Sequence, residues 1–367
     1  MVALIIFVVL VPAFALAAVY AERKVSAFVQ DRIGPVETGY YGLLQTLADI
    51  LKLLLKEDIV PTSAQKRIFN LAPILIFSSI FAGFATIPLT PTIIGSNIES
   101  GVFFLLTIIS FDVVGLIMAG WGSNNKFSLY GSMRSVAQMI SYEVPLTLSI
   151  LSVVMISQTL SLQEISFQQG IFINQYTGLE TARNYLFGIK ATGIDLTHVG
   201  GIFTWNIFRM PFLMIGFVIY FIASLAESNR APFDIPEAES ELVAGYHTEY
   251  SGFKFAILFL SEYGMMLLVT FLASILYLGS WNTPLPNIGF VRLADWTSGN
   301  VGGISGGLWG FFWLFSKSMF LIFLQMMARW TYPRLRVDQL MYLSWKVLTP
   351  MALALILLSA VWRLLMI

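Results

Sequence analysis

Eight mostly apolar runs recur along the chain, near 2–21, 68–88, 101–121, 136–157, 207–226, 254–279, 307–328 and 347–366. Crossing a bilayer core takes about 20 residues of α-helix. Each run therefore predicts a transmembrane helix, although the runs at 136–157 and 207–226 carry internal polar residues. Polar residues otherwise collect in the connections between runs. The pattern predicts one integral membrane domain over 1–367, an all-α polytopic membrane protein with about eight transmembrane helices.

A further apolar stretch has a different pattern. Residues 40–56 read Y-Y-G-L-L-Q-T-L-A-D-I-L-K-L-L-L-K. Gln45, Asp49, Lys52 and Lys56 recur at offsets of 4, 3 and 4, which places them on one stripe of a helix. Leucines and Ile50 cover the remaining surface. At 1.5 Å per residue this helix is about 25 Å long, and its charges bar it from spanning. The pattern predicts an amphipathic helix lying on the membrane surface with its apolar side in lipid. It either packs as an anchor or walls an opening for a lipid-soluble ligand. The whole connection, 22–67, opens with Glu22-Arg23-Lys24, and Gly34-Pro35 makes a tight turn that keeps Arg23 and Arg32 near the membrane face.

Basic residues set the orientation. Of the 21 Lys and Arg, fifteen fall in one alternate set of connections: Arg23, Lys24, Arg32, Lys52, Lys56, Lys66, Arg67, Lys126, Arg134, Arg230, Lys254, Arg329, Arg334, Arg336 and Lys346. Five lie in the other set, and Lys317 falls inside a run. The richer side is expected to be cytoplasmic, with both termini outside. The first run precedes its positive charges, the reverse of a secretory signal, so it reads as a retained span. The outer loop 159–205 is the longest on its side.

Composition narrows the class. The chain is 57% hydrophobic and only 11% charged, less than half the roughly 25% of soluble domains. A zero net charge without a basic arm argues against nucleic acid. With no cysteine and two histidines, His198 and His247, thiolate-ligated clusters and Cys-rich zinc sites have no ligands here. No resident metal is expected, and any electrons would come from another chain.

The acids are the candidate chemistry. Six carboxylates, Glu227, Asp234, Glu237, Glu239, Glu241 and Glu249, crowd the inner loop 227–253 against one base, Arg230. Apolar Phe233, Ile235, Leu242, Val243 and Tyr246 lie among them, unlike a loop that is simply solvated. Pro232 and Pro236 forbid a continuous helix there. Crowded carboxylates raise one another's pKa, which suits proton handling. The blander reading is an acidic loop that docks on a basic partner. Within the runs, Glu143 precedes Pro145, whose missing N–H frees a carbonyl. Arg134 is its candidate structural partner. Asp112 and Glu262 are similar intramembrane acids. Together they suggest a polar path from the inner loop into the protein.

Four blocks carry a resemblance. E-R-K-V-S-A-F-V-Q-D-R-I-G-P, G-S-N-N-K-F-S-L-Y-G-S-M-R-S-V-A-Q-M-I-S-Y-E-V-P, R-A-P-F-D-I-P-E-A-E-S-E-L-V-A-G-Y-H-T-E-Y-S-G and A-R-W-T-Y-P-R-L-R-V-D-Q-L-M-Y-L-S-W-K span residues 22–346. They resemble the quinone-proximal membrane component of respiratory complex I, the H-subunit family of NADH-quinone oxidoreductases. The resemblance implies a quinone entrance and tunnel in which Arg23, Arg32, Asp49, Lys52, Arg134 and Arg230 take part. It implies that Glu143, Glu227, Asp234, Glu237, Glu239, Glu241 and Glu249 couple quinone reduction to proton translocation. Quinone would be the substrate, with FMN, NADH and iron–sulfur clusters held on partner subunits. Partners would be peripheral-arm quinone-site subunits at the inner loops, small membrane subunits and antiporter-like subunits alongside, and membrane lipid. The location implied is a bacterial cell membrane. His247 stands where many members have Asn.

Two other readings fit parts of the pattern. The equivalent subunit of a membrane-bound hydrogenase, or of a dehydrogenase with ferredoxin or another donor, would share these blocks; its purified partners would identify it. A stand-alone channel or secondary transporter would need paired halves or broken helices around a midplane site, and no repeat is visible.

Overall fold

The computed structural model describes residues 2–171, 185, 187, 189, 195–197, 199–235, 242–288, 291–300 and 302–366. In chain order its helices are α1 (Val2–Val29), α2 (Gln45–Leu55), α3 (Lys66–Gly83), α4 (Gly101–Gly122), α5 (Lys126–Ser157), α6 (Leu162–Gln168), α7 (Asn206–Arg209), α8 (Leu213–Glu227), α9 (Gly252–Tyr277), α10 (Leu293–Ser298), α11 (Ile304–Thr331), α12 (Val337–Tyr342) and α13 (Thr349–Met366). A π-helical turn, Leu343–Leu348, joins the last two into one rod. Among the described residues, strand is confined to a hairpin of β1 (Asn287–Ile288) and β2 (Val291–Arg292) and a few isolated bridges. The protein is an all-α polytopic membrane protein.

Seven of the eight expected spans are helices long and apolar enough to cross a membrane. The run at 207–226 differs: it is split into α7 and the 15-residue α8, with Pro211 in the break. Proline lacks the N–H that would carry one helix into the next. At 1.5 Å per residue α8 reaches only about 22 Å. Three other spans outrun their apolar stretches, the last of them beginning at Val337 rather than near 347. Helix α1 continues past Ala21 through Glu22, Arg23 and Lys24, and α5 starts at Lys126 rather than near 136. Helix α1 stops where Asp31 takes a positive φ of 53°, a conformation short polar side chains tolerate.

The core is organised around α9. From Tyr263 to Tyr277 every residue of α9 is buried. Helices α1, α3, α8 and α11 pack directly on it. Helices α4 and α13 flank α5, which packs on α8. The proline inside α5 is compensated locally. Pro145 frees the Ser141 carbonyl, and the Ser344 hydroxyl donates to it. The π-helical turn comes just before Pro350, where the regular ladder cannot continue.

Close backbone approach fixes the end of the acidic loop against α5. A Cβ on Gly131 would lie 2.6 Å from the Gly245 Cα. Nearby, Tyr250 stacks on Phe69 at 4.2 Å and donates to its carbonyl at 3.1 Å. Burial raises the Tyr250 hydroxyl above its ordinary pKa, which keeps it a donor. Gly131→Val is therefore expected to cost on the order of 1–3 kcal/mol by overpacking. Thermal unfolding of the purified protein checks this: an unchanged midpoint would mean that this approach is not constrained.

Candidate functional site

One end of the bundle gathers the charged residues of four separate connections. At its centre is Glu22 of α1, 7% exposed. Arg329, near the end of α11, ion-pairs with it. So does Arg230, at 3.4 Å. The Tyr263 hydroxyl of α9 donates to the same carboxylate, and the Arg230 guanidinium lies 4.2 Å over the Tyr263 ring. Local structure explains how Arg230 arrives. Asn229 takes a left-handed φ of 49°, and the Arg230 N–H donates to the Leu225 carbonyl, so the chain reverses at the end of α8. A small cavity beside this centre is lined by Glu22, Arg230, Met266, Gln325, Met326 and Arg329.

A second cavity borders the end of α8. Asp112 of α4, Glu227 of α8 and Glu262 of α9 all line it, with Tyr246 and Asn229. Asp112 Oδ1 and Glu227 Oε2 are buried without a hydrogen-bond partner. Glu262 accepts from the Tyr246 hydroxyl at 2.8 Å, and His247 Nε2 lies 3.8 Å from Glu262 Oε1. Gln138 holds the end of α8 in place, donating to the Ala226 carbonyl at 2.8 Å and to Asn229 Oδ1 at 3.2 Å. Buried carboxylates that line one cavity feel one another's charge more strongly than carboxylates in bulk water do.

Glu143 is half-buried on α5 and accepts from the Ser110 hydroxyl of α4. Arg134 sits nine residues earlier on the same helix, roughly 13 Å away along the axis. The local partner of Glu143 is thus the serine rather than the arginine.

Helix α2 is tied to the end of α1. Arg23 bridges Asp49 at 2.6 Å, Gln45 donates to Asp49 at 3.2 Å, and Thr38 donates to Gln45 at 2.6 Å. Arg32 turns back to Ser26 Oγ at 3.3 Å, and Lys52 is exposed. The outward surface of α2 is apolar: Leu43, Leu44, Leu47, Ile50, Leu51, Leu54 and Leu55 are all exposed, Leu55 at 86%. The helix is shorter than its pattern suggested, because Tyr40–Gly42 form a 3-10 turn in which Tyr41 has a φ of 53°.

The described carboxylates of the acidic loop go to separate partners. Asp234 pairs with Arg334 at 3.0 Å, and Glu249 accepts from Asn125 Nδ2 at 2.6 Å. Glu237, Glu239, Glu241 and Pro236 lie outside the described residues, as do His198 and most of the outer stretch 172–194. The sequence pattern does not single out Glu22, Tyr263 or Arg329 as site residues. Glu22 has a signal, an acid at the end of an apolar run, but it reads as one charge of a basic block. Tyr263 and Arg329 carry none, since only packing brings α9 and α11 to α1.

A family model described as NADH dehydrogenase matches residues 1–360. The NADH-quinone oxidoreductase H subunit 2 of Cytophaga hutchinsonii is 62% identical over 349 residues, covering 95% of this chain and 95% of that protein. The NADH-quinone oxidoreductase H subunit of Chlorobaculum tepidum is 52% identical over 344 residues, covering 94% of this chain and 86% of its own length. That of Chlorobium luteolum is also 52% identical over 344 residues, covering 94% of this chain and 83% of its length. Blocks, helices and relatives agree: the chain belongs to the H-subunit family of NADH-quinone oxidoreductases.

Proposed function

We propose that this chain is a membrane subunit of a proton-pumping NADH-quinone oxidoreductase of a bacterial cell membrane. In this reading it lines the route of the quinone from lipid and links quinone reduction to proton movement through its buried acids. The observation that carries it is the cavity shared by Asp112, Glu227 and Glu262, whose wall includes Asn229, the residue before Arg230. Arg230 in turn pairs with Glu22, so an acid network runs from the bundle interior to the end where α2 is attached.

The quinone is the substrate. Its long apolar tail enters from lipid, and the exposed leucine face of α2 supports an entrance there. Flavin and iron–sulfur clusters belong to partner subunits, in keeping with a chain that has no cysteine. The peripheral-arm partners dock at the inner loops, and the smaller and antiporter-like membrane subunits lie alongside. When the headgroup takes two electrons it also takes two protons. Charge near Glu22, Arg230 and Arg329 then changes, and neighbouring acids respond. Two unit charges 4 Å apart interact by about 4 kcal/mol at an effective dielectric of 20, enough to move protons without large backbone motion. Glu143, Asp234, Glu249 and the outlying Glu237, Glu239 and Glu241 extend the same network toward the surface in this reading. Arg134, Arg32 and Lys52 supply cations along its rim.

Access is tested at α2. Leu47→Lys and Leu51→Lys place charges on the lipid-facing side without touching Arg23 or Asp49. Expected is a loss of about tenfold in affinity for quinone-site inhibitors, equivalent to about 1.4 kcal/mol. NADH oxidation with a water-soluble artificial acceptor should stay at its parental rate. Inhibitor titrations unchanged in both variants would remove α2 from the entrance.

A further inference from the structure

The end of the bundle far from Glu22 holds a groove that shares no lining residue with the two acid cavities. It lies between the start of α4, the α5–α6 connection and the last turns of α13, and has a volume of about 980 Å³. That is at the upper end of the roughly 300–1,000 Å³ of small-ligand clefts. Glu99, Thr159, Glu164 and Arg363 supply its charged and polar wall.

Arg363 is held in position. Its Nη1 donates to the Met155 carbonyl at 2.9 Å and also to the Ile156 carbonyl. These belong to the last turn of α5, where carbonyls lack helical partners. A guanidinium carries five N–H donors, so others remain for a ligand. Two acids line the same groove. Glu164, in the first turn of α6, accepts from the Thr159 hydroxyl, and Glu99 is exposed. Among the described residues no ion pair joins Arg363 to either acid. One cation and two carboxylates thus face the same space without meeting. A ligand carrying both an anion and an ammonium can bridge them.

The groove continues onto grease. Leu151 and Met155 of α5, and Leu357, Val361 and Leu364 of α13, are exposed, Leu364 at 87%. Helices α5 and α13 pack together, so these side chains form an apolar surface leading from the groove into the bilayer. A polar groove above an apolar surface, at the end of transmembrane helices, has the shape of a lipid site.

We propose that this groove binds the headgroup of a phosphoethanolamine lipid, its phosphate on Arg363 and its ammonium between Glu99 and Glu164, with acyl chains on α5 and α13. The primary ammonium has three N–H donors for the carboxylates. A choline headgroup has none, and a glycerol headgroup has no cation.

Photolabelling of the assembled complex tests this. The complex is reconstituted with phosphatidylethanolamine carrying a photoactivatable group near the glycerol, irradiated, digested and mapped by mass spectrometry. Adducts are expected on peptides covering 151–164 and 357–364, above those from the matching choline and glycerol lipids. Arg363→Gln, and separately the double replacement Glu99→Gln with Glu164→Gln, should each lower labelling by about threefold, as for partly exposed ion pairs. NADH-quinone activity should be unchanged. Equal labelling by the three lipids, no adducts on these peptides, or labelling unaffected in either variant would overturn the proposal.

Discussion

In membranes carrying Glu227→Gln, electron transfer from NADH to quinone falls at least about tenfold, a barrier increase of about 1.4 kcal/mol. NADH oxidation by an artificial acceptor keeps its rate, because that reaction ends on partner subunits. The effect is expected to be large because Glu227 Oε2 is buried with no hydrogen-bond donor, so its proton responds to any change in nearby charge. Glutamine keeps the shape of the side chain and removes both the charge and the exchangeable acid proton. The neighbours Asp112 and Glu262 in the same cavity then lose the partner through which charge changes pass. Quinone reduction, proton uptake by a pH-sensitive dye and the amount of assembled complex are measured on one preparation. Normal reduction with normal pumping would show that these acids only shape the interior.

The second large effect is on assembly. Glu22→Ala removes the carboxylate that Arg230 and Arg329 share in a partly buried pocket. Removing one partner of a buried ion pair costs roughly 3–5 kcal/mol, a large share of a membrane domain's net stability. Little complex is expected on a native gel, with a lowered melting midpoint for what remains. Asp49→Ala is the contrasting variant. The Arg23–Asp49 pair is a third to nearly half exposed, and exposed pairs contribute about 0–1 kcal/mol. It should assemble normally. Equal assembly of the two variants would mean that Glu22 is not the electrostatic centre of this end.

Much of this fold is legible in the order of residues alone. Long apolar runs specify helices through their length, so seven spans agree within a few residues at most ends. The amphipathic stripe of Gln45, Asp49 and Lys52 is readable because a surface helix keeps its period. Less legible is the split at Pro211, since a run broken by one proline still averages as apolar. The ends of α1 and α5 are also hidden: Glu22-Arg23-Lys24 and the polar start of α5 interrupt the apolar signal, while helical hydrogen bonding continues through them. Crowded acids in 227–249 draw attention by their density, yet Asp234 and Glu249 are matched by Arg334 and Asn125. Acids that share a cavity come from three different helices. Asp112, Glu227 and Glu262 are far apart in sequence and meet only through packing, which no local pattern records.

The most direct test is an infrared difference spectrum of the complex taken before and after quinone reduction. Expected is a change in the carbonyl-stretch region of protonated carboxyl groups that disappears in Glu227→Gln while the quinone bands persist. Quinone bands that change with no carboxyl signal, or a carboxyl signal identical in the variant, would contradict a link between Glu227 and the reduced quinone.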